Sequence, residues 1–208
     1  IINVYKKNNN NNLKILDVGS GDGYWTKKLS NDFSEVVGLD PSSDLQGYAK
    51  KYFNSENIKY VSGYANKIPF EDNYFDGVLS ISCFEHFQNP EQCMKEMFRV
   101  LKPGGILSLS VDSLLDSNSS KNFRHWHSNK HFVVSYYSES QIINLIEQNN
   151  GLVDKKNIVH IFKSGFCSFL RKIYIRWTKI LFLFFPLFYC IINILDKFFD
   201  SRHGQIVI

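Results

Sequence analysis

The sequence predicts an α/β fold in which a mostly parallel sheet carries helices on both faces. Short apolar segments alternate along the chain with segments of helical pattern, an order typical of βαβ units. A glycine-rich turn, LDVGSGDGYW at residues 16–25, follows the first apolar segment. Ligands of such doubly wound sheets bind beyond the carboxyl ends of the strands, so the turn lies where a ligand is expected.

Length and composition indicate one globular domain with a sizeable core. The chain has 208 residues, of which 44% are hydrophobic and 21% charged, and its formal net charge is +4. This small charge, carried by dispersed Lys and Arg residues, argues against a nucleic-acid partner. The four cysteines form no CxxC pair, so they indicate free thiols in a reducing compartment rather than disulfides or a zinc site. We therefore expect a cytoplasmic protein.

Local signals predict the individual elements. Apolar runs predict strands at 13–18, 35–39, 58–62, 74–82, 106–111 and 153–162. Helical patterns, several opened by Ser, Asp or Pro, predict helices at 24–30, 41–53, 90–101 and 138–149. The sequence LKPGG at 101–105 should end the third helix, with a glycine in the left-handed cap.

The composition divides the chain into four parts. Residues 1–12 contain an asparagine tract and are expected to be a linker or a truncated N-terminal segment. Residues 13–163 form the predicted core, residues 164–202 an apolar helical insert, and residues 203–208 the final strand of the core sheet.

The glycine turn gains meaning from the strand that follows it. Its spacing, Gly19-x-Gly21-x-Gly23, differs from the Gly-x-Gly-x-x-Gly of dinucleotide folds and lacks the Gly-Lys-Ser/Thr of phosphate loops. The second strand ends at Asp40, where an acidic side chain can accept hydrogen bonds from ribose hydroxyls. Together they indicate a nucleoside-containing cofactor. The alternatives are a tight turn without a ligand and a helix cap ahead of Pro41.

Four motifs carry a resemblance to a known family. The segments ILDVGSGDGYW, VVGLDPS, IPFEDNYFDGVLSI and EMFRVLKPGG resemble, in this order and spacing, class I S-adenosylmethionine (SAM)-dependent methyltransferases. The most similar subgroup is the small-molecule, type 11-like one, with an LPF-like motif before its fourth strand. The resemblance covers about residues 13–152. It implies an enzyme with SAM as cofactor and a Rossmann-like, seven-stranded sheet whose last strand is antiparallel.

The resemblance also implies a cofactor site, by position. The residues expected to contact SAM are Asp17, Gly19, Gly21, Gly23, Asp40, Pro41, Tyr64, Ala65, Ser82 and Cys83. Asp17 and the glycines would face the methionine part, and Asp40 the ribose hydroxyls. The backbone N–H of Ala65 would face the adenine, with Pro41 nearby. Ser82 and Cys83 would line the methionine side.

One position departs from the family pattern. Tyr64 stands where the family often has an Asp that accepts from the adenine amino group. Tyr64 could stack on the adenine instead, or Asn66 could accept the hydrogen bond.

Two histidines are candidate catalytic residues. Methyl transfer from a sulfonium mainly requires positioning, and a general base is needed only for a poorly acidic hydroxyl or a protonated amine. The resemblance places His86 near the cofactor's methyl group and His131 in the segment that usually covers the acceptor pocket. Glu85 and His86 could instead brace the loop. The group His125 to His131 could bind metal or simply pack, and we expect no metal.

The insert bears on the acceptor and on localisation. Basic and aromatic residues precede an uncharged run at 180–195, which Pro186 interrupts. The alternatives are an interfacial helical hairpin, a lid or dimer surface, and a spanning helix. The hairpin favours a lipid-linked acceptor, such as a cell-envelope saccharide precursor or a quinone-like molecule, and peripheral contact with the inner face of a membrane.

Two other functions compete with methyl transfer. The first is a non-catalytic SAM-binding protein, in which Tyr64 marks a decayed pocket and the insert anchors the chain to a membrane or partner. The second is a nicotinamide oxidoreductase, which the glycine spacing and the LKPGG motif disfavour.

Overall fold

The frame of the molecule is a parallel sheet with the predicted α/β topology. A computed structural model of the chain describes residues 12–113, 121–154, 158–161 and 204–207. The parallel strands are β1 Lys14–Val18, β2 Glu35–Asp40, β3 Ile58–Ser62, β4 Phe75–Ile81 and β5 Leu101–Ser113. Their spatial order is β3-β2-β1-β4-β5. The order reverses between β1 and β4, and this switch point is where a ligand site is expected.

Helices connect the strands. They are α1 Tyr24–Leu29, α2 Ser43–Tyr52, α3 Pro90–Val100, α4 Lys121–His131 and α5 Glu139–Glu147, with a 3-10 turn at Phe84–His86. Side-chain caps account for three of the starts: Ser42 begins α2, Asn89 begins α3, and Ser138 with Gln141 forms a capping box at α5. These three helices confirm the corresponding sequence predictions within one or two residues.

The helix α4 is the element that the sequence pattern misses. The pattern predicts only a connection between the fifth strand and the last helix. The helix Lys121–His131 is polar and lacks an apolar stripe. Among its described side chains, only that of His127 is buried. Periodicity therefore gives no signal here, because a polar contact rather than an apolar face attaches the helix.

The segment LKPGG also differs from its prediction. The helix α3 ends at Val100, and Leu101 is already extended and pairs with Phe75 of β4. The register then shifts, so that Gly77 pairs with Ile106. The left-handed Gly104, with φ of 77°, therefore serves this irregularity inside β5 and not a helix cap.

Two short strands lie beyond β5. Gly204–Val207 (β7) runs antiparallel to β5, and Val159–Ile161 (β6) runs antiparallel to β7. Residues 1–11 and the insert at 164–202 lie outside the described residues, so what the sequence predicts for them stays a prediction. The complete seven-stranded sheet of the family also stays a prediction. Within the described residues, no helix has the length and apolar content needed to cross a bilayer.

Apolar residues cover both faces of the sheet, because successive strand side chains point to opposite sides. One cluster contains Leu16, Val37, Val78, Leu109, Met94, Met97 and Ile142, among others. The second contains Ile15, Leu29, Phe33, Val36 and Leu79. The core is therefore split by the sheet into a larger layer and a smaller one.

One arginine joins two of the family motifs. Arg99 on α3 donates to the carbonyl oxygens of Ile68 and Phe70, at 2.9 and 2.8 Å, and pairs with Glu96 and Asp72 at 2.8 Å. The largely buried carboxylate of Glu96 also accepts from the backbone N–H of Ile68 at 2.8 Å. The segment IPFED is thereby fixed to the helix that precedes β5.

Replacing Arg99 with Ala should lower the free energy of unfolding by about 2–4 kcal/mol, because it removes the charged partner of a largely buried carboxylate and a hydrogen-bond donor to two carbonyls. Hydrogen bonds from Arg99 lower the pKa of Glu96. This contribution is therefore present above pH 4.5 and lost as the pH falls through the lowered pKa, so the difference should shrink in acid. Urea unfolding measures it. Exposed Lys95→Ala should change stability by at most about 0.5 kcal/mol, and equal effects would contradict the assignment.

Candidate functional site

Three strand ends bring most of the predicted site residues together. Asp17 lies near the end of β1, Asp40 is the last residue of β2, and Cys83 follows β4 closely. The backbone N–H groups of Gly19 and Ser20 donate to the carbonyl oxygen of Leu39, at 2.8 and 3.1 Å. The glycine turn is thereby fixed against the end of β2.

The three glycines of the turn have different surroundings. A Cβ on Gly19 would lie 2.0 Å from the Cys83 sulfur, so a side chain there would separate the turn from the end of β4. A Cβ on Gly23 would lie 2.6 Å from the Tyr60 hydroxyl. Gly21, with φ of 52°, has no atom within 4 Å of its Cβ position. Only at Gly21, therefore, does the turn border open space.

Asp40 joins the turn to the next helix. Its carboxylate is buried and accepts from the N–H of Gly21 at 3.0 Å and from the N–H of Ser42 at 2.9 Å. Each ionised carboxylate oxygen has two acceptor sites, so both retain capacity for a further donor. Pro41 is exposed between Asp40 and the start of α2. The arrangement holds an acceptor group at the switch point.

Asp17 is a buried carboxyl group behind the turn. The hydroxyl of Thr26 donates to its Oδ2 at 2.6 Å. Burial raises the pKa of Asp17 to about 6, and the charge of Asp40 adds to this, while the hydrogen bond from Thr26 opposes it. At pH 7 the group is thus largely ionised at a cost in free energy, and a cation placed beside it would reduce that cost.

The Tyr64 turn follows β3 beside Asp40. The N–H of Gly63 donates to the backbone carbonyl of Asp40 at 3.3 Å, and that of Lys67 donates to the carbonyl of Tyr64 at 3.1 Å. The Tyr64 side chain is 67% exposed, whereas Ala65 packs against the core. This turn therefore lies next to the end of β2, with the Tyr64 side chain at the surface.

The residues after β4 occupy a constrained position. Ser82 has a left-handed backbone, with φ of 47°, which is uncommon for a residue other than glycine. Cys83 is largely enclosed, and burial raises the pKa of its thiol well above the ordinary range, with further contributions from the charges of Glu85, Asp40 and Asp17. The thiol is therefore neutral, which argues against a nucleophilic role.

His86 has a defined orientation. Its Nδ1 lies 3.0 Å from the carbonyl oxygen of Phe132, and a carbonyl only accepts, so Nδ1 carries a proton. In the neutral ring Nε2 is then the basic nitrogen. The backbone carbonyl of Glu85 accepts from the N–H groups of Val134 and Ser135, at 2.9 and 3.1 Å. Residues 132–135 therefore return over the turn that carries His86.

The histidine group of α4 divides between two sides of the helix, since residues two apart do not share a face. His127 is buried, with Nδ1 2.9 Å from the Tyr136 hydroxyl and Nε2 3.7 Å from Oδ2 of Asp112 on β5. His131 lies against it, with ring centroids 4.6 Å apart, whereas His125 is exposed. No group of three potential ligands for a metal occurs in the described part of the chain.

The sequence pattern singles out the histidines of α4 but not their partners. Asp112 is the penultimate residue of β5, and Tyr136 lies in an irregular segment, so neither has a local signal of a polar contact. Only the fold brings these side chains to His127. His131 therefore belongs to a cluster behind the segment that reaches His86.

Comparison with known proteins identifies the domain. A family model for a methyltransferase domain matches residues 16–109, from β1 to β5. Over these residues the chain is similar to class I SAM-dependent methyltransferase domains. The resemblance seen in the four motifs is thereby confirmed.

Relatives and a solved structure agree with this family. The sterol 24-C-methyltransferase of Candida albicans is 34% identical over 127 residues, which are 58% of this chain and 34% of the relative. The demethylmenaquinone methyltransferase of Staphylococcus aureus is 41% identical over 99 residues, which are 46% of this chain and 41% of the relative. The match thus spans about a third to two fifths of the relatives' length.

The fold comparison extends further along the chain. The phosphoethanolamine N-methyltransferase 2 of Haemonchus contortus, solved in complex with SAM, superposes with a TM-score of 0.71 and 20% identity. The superposition covers 99% of this chain and 50% of that one. At this identity the likeness concerns the fold alone.

The residues of the methyltransferase domain fit its cofactor, SAM, chemically. SAM carries a cationic ammonium group and neutral ribose hydroxyls. The buried acidic group of Asp17 suits a cation, the acceptor oxygens of Asp40 suit hydroxyl donors, and Gly21 borders open space. The prediction of SAM as cofactor is confirmed by the family.

Replacing Asp17 with Asn should change how stability depends on pH. The pKa of Asp17 is raised from 3.8 to about 6, so its stabilising contribution is complete below pH 3.8 and lost as the pH rises through 6. Between pH 4 and pH 8 the wild type should lose about 1–3 kcal/mol that Asp17→Asn does not lose. Urea unfolding at a series of pH values measures this. Asp22→Asn, an exposed carboxylate of the same turn, is the control, and a pH-independent difference would contradict the prediction.

Proposed function

We propose that the chain is a SAM-dependent methyltransferase that acts on a small-molecule acceptor. The observation that carries the proposal is the buried Asp40 carboxylate, held by Gly21 and Ser42 at the switch point of a methyltransferase domain. Enzymatic activity fits both curated relatives, which are named as methyltransferases.

In this proposal each site residue has a physical role. Asp40 accepts from the ribose hydroxyls, Asp17 offers negative charge to the ammonium group, and Gly21 leaves room for the cofactor. The turn of Tyr64 and Ala65 faces the adenine, and the segment of Ser82 and Cys83 lines the methionine side. When bound, SAM supplies an activated methyl group on sulfur, so the protein mainly has to align the acceptor with it.

Replacing Asp40 with Asn should weaken SAM binding about 10- to 100-fold, because a charged acceptor of hydroxyl hydrogen bonds is lost. Isothermal titration calorimetry measures the dissociation constant. Asp44→Asn, an exposed carboxylate in the first turn of α2, is the matched control and should bind like the wild type. Equal affinity of Asp40→Asn and the wild type would remove the ribose role.

The reaction itself needs a direct test. The full chain, methyl-labelled SAM and either a membrane extract or a soluble extract should yield a labelled small molecule. The Asp40→Asn variant should yield far less label at low SAM concentration. If the chain binds SAM but labels nothing in either extract, the non-catalytic SAM-binding protein becomes the better description.

We also propose that His86 is the general base for the methyl acceptor. The Phe132 carbonyl fixes the tautomer of His86 and makes Nε2 its basic nitrogen in the neutral ring. His131 is the second candidate and lies at the end of α4, next to Phe132. Either histidine would take a proton from an acceptor hydroxyl or amine if the acceptor carries one.

Replacing His86 with Ala should lower turnover about 100-fold or more and leave SAM affinity unchanged, because general-base catalysis is lost while the cofactor site is kept. Steady-state assays with the labelled acceptor, together with calorimetry, measure both quantities. His131→Ala tests the second candidate in the same way, and loss of SAM binding in either variant would indicate a structural role.

The acceptor proposed is apolar or lipid-linked. The uncharged run at 180–195 supports it, as do the names of the two relatives, which refer to a sterol and to demethylmenaquinone. A saccharide-bearing lipid of the cell envelope is the second option and has only the uncharged run in its support. In this proposal the insert sits in a complete seven-stranded sheet with an antiparallel last strand, and the protein is cytoplasmic with peripheral membrane contact.

A further inference from the structure

The helix α2 has its apolar stripe on the outside. Leu45, Tyr48 and Tyr52 follow the i, i+3, i+7 spacing of one helix face, yet they are 41 to 56% exposed. The buried positions are Gln46 and Ala49. Nε2 of Gln46 donates to backbone carbonyls of the sheet, so a polar contact fixes the inward face. The usual arrangement of an amphipathic helix is thus reversed.

Rings from α1 extend this stripe. Tyr24 and Trp25 are also exposed, and their ring centroids lie 5.3 Å apart. Tyr24 lies 6.0 Å from Phe53, which lies 6.2 Å from Tyr48, and Tyr48 lies 4.5 Å from Tyr52. We call the surface formed by Tyr24, Trp25, Leu45, Tyr48, Tyr52 and Phe53 the aromatic face.

Lysines are interleaved with these rings. The ammonium of Lys28 lies 4.8 and 5.2 Å from the ring centroids of Tyr24 and Trp25, and that of Lys51 lies 5.0 Å from the ring of Tyr52. The last turns of α1 and α2 together carry four lysines, Lys27, Lys28, Lys50 and Lys51, while Asp44 is the acidic residue within the two helices. The surroundings of the aromatic face therefore carry more positive than negative charge.

We propose that the aromatic face docks on the surface of an anionic phospholipid bilayer. Tyrosine and tryptophan with lysine are typical of the bilayer interface, where rings lie at the headgroups and ammonium groups attract anionic lipid. Lysine is depleted at protein–protein interfaces, which makes a protein partner the less favoured occupant. None of these residues belongs to the proposed cofactor site, so docking goes beyond the proposed reaction.

Docking would bring the cofactor site to the bilayer. The helix α1 begins directly after Gly23, and α2 begins after its cap Ser42, whose N–H is bound by Asp40. All six residues of the aromatic face lie between Tyr24 and Phe53, so in this proposal the described domain contributes a membrane contact of its own. A bilayer surface holding the protein here would supply an apolar acceptor close to the turn.

Fluorescence of Trp25 tests the contact directly. In the full chain carrying Trp126→Phe and Trp177→Phe, Trp25 is the single tryptophan left. Vesicles with 30% phosphatidylglycerol should shift its emission to the blue, and brominated lipid should quench it. Pure phosphatidylcholine vesicles should act several-fold more weakly. Sedimentation with vesicles without any change in Trp25 emission would overturn the proposal.

Charge reversal tests the lysines. Lys28→Glu with Lys51→Glu should weaken partitioning to the anionic vesicles at least about tenfold, because each lysine near an anionic surface contributes to binding. The matched control is Lys95→Glu with Lys130→Glu, which changes the net charge equally at exposed positions of α3 and α4. Equal loss in the control would overturn the proposal.

Three further measurements distinguish bilayer docking from loss of folding and from dimerisation. Circular dichroism and SAM calorimetry should be unchanged in the charge-reversed variant, so failure of docking is distinguishable from failure of the proposed function. Analytical ultracentrifugation should show the same oligomeric state for the double variant Tyr48→Ser with Tyr52→Ser as for the wild type. If these substitutions dissociate a dimer and leave vesicle binding intact, the aromatic face is an interface between two copies of the chain and the bilayer proposal is wrong.

Discussion

The carboxylate of Asp40 is the contact on which the site depends. It binds the N–H of Gly21 on one side and the N–H of Ser42 on the other, so the glycine turn, the end of β2 and the start of α2 share one anchor. The carbonyl of Leu39 holds the same turn through Gly19 and Ser20. Groups of the protein itself therefore fix the glycine turn and the start of α2 to the end of β2.

Negative charge accumulates behind this anchor. Asp17, Asp40 and Glu85 are buried, and their charges add to the effect of burial, which is the main cause of the raised pKa of Cys83. Such a cluster costs free energy, since desolvation and like charges both oppose ionisation. A cationic ligand offsets that cost, so the same arrangement that weakens the isolated fold favours a positively charged cofactor.

Local sequence signals predicted the strands, the capped helices, and the position of the glycine turn and of Asp40 at the carboxyl ends of strands. They failed where a contact between distant segments decides. Gly19 is required by Cys83, which is distant in sequence, and LKPGG bends a strand rather than capping a helix. The polar helix α4 was not predicted from the sequence, because contacts of His127 with Asp112 and Tyr136 hold it and hydrophobic periodicity does not indicate such contacts. The roles of the cofactor-site residues and of both histidines remain predictions.

The segment over His86 is attached through the backbone. The carbonyl of Glu85 accepts from the N–H groups of residues 134 and 135, and the carbonyl of Phe132 accepts from His86. The side chains of Phe132 and Val134 are 82 and 53% exposed, so the attachment does not consume them. Substitutions at these two positions can therefore alter what the segment presents without releasing it, which makes it a place where related sequences can diverge in acceptor preference while the scaffold stays constant.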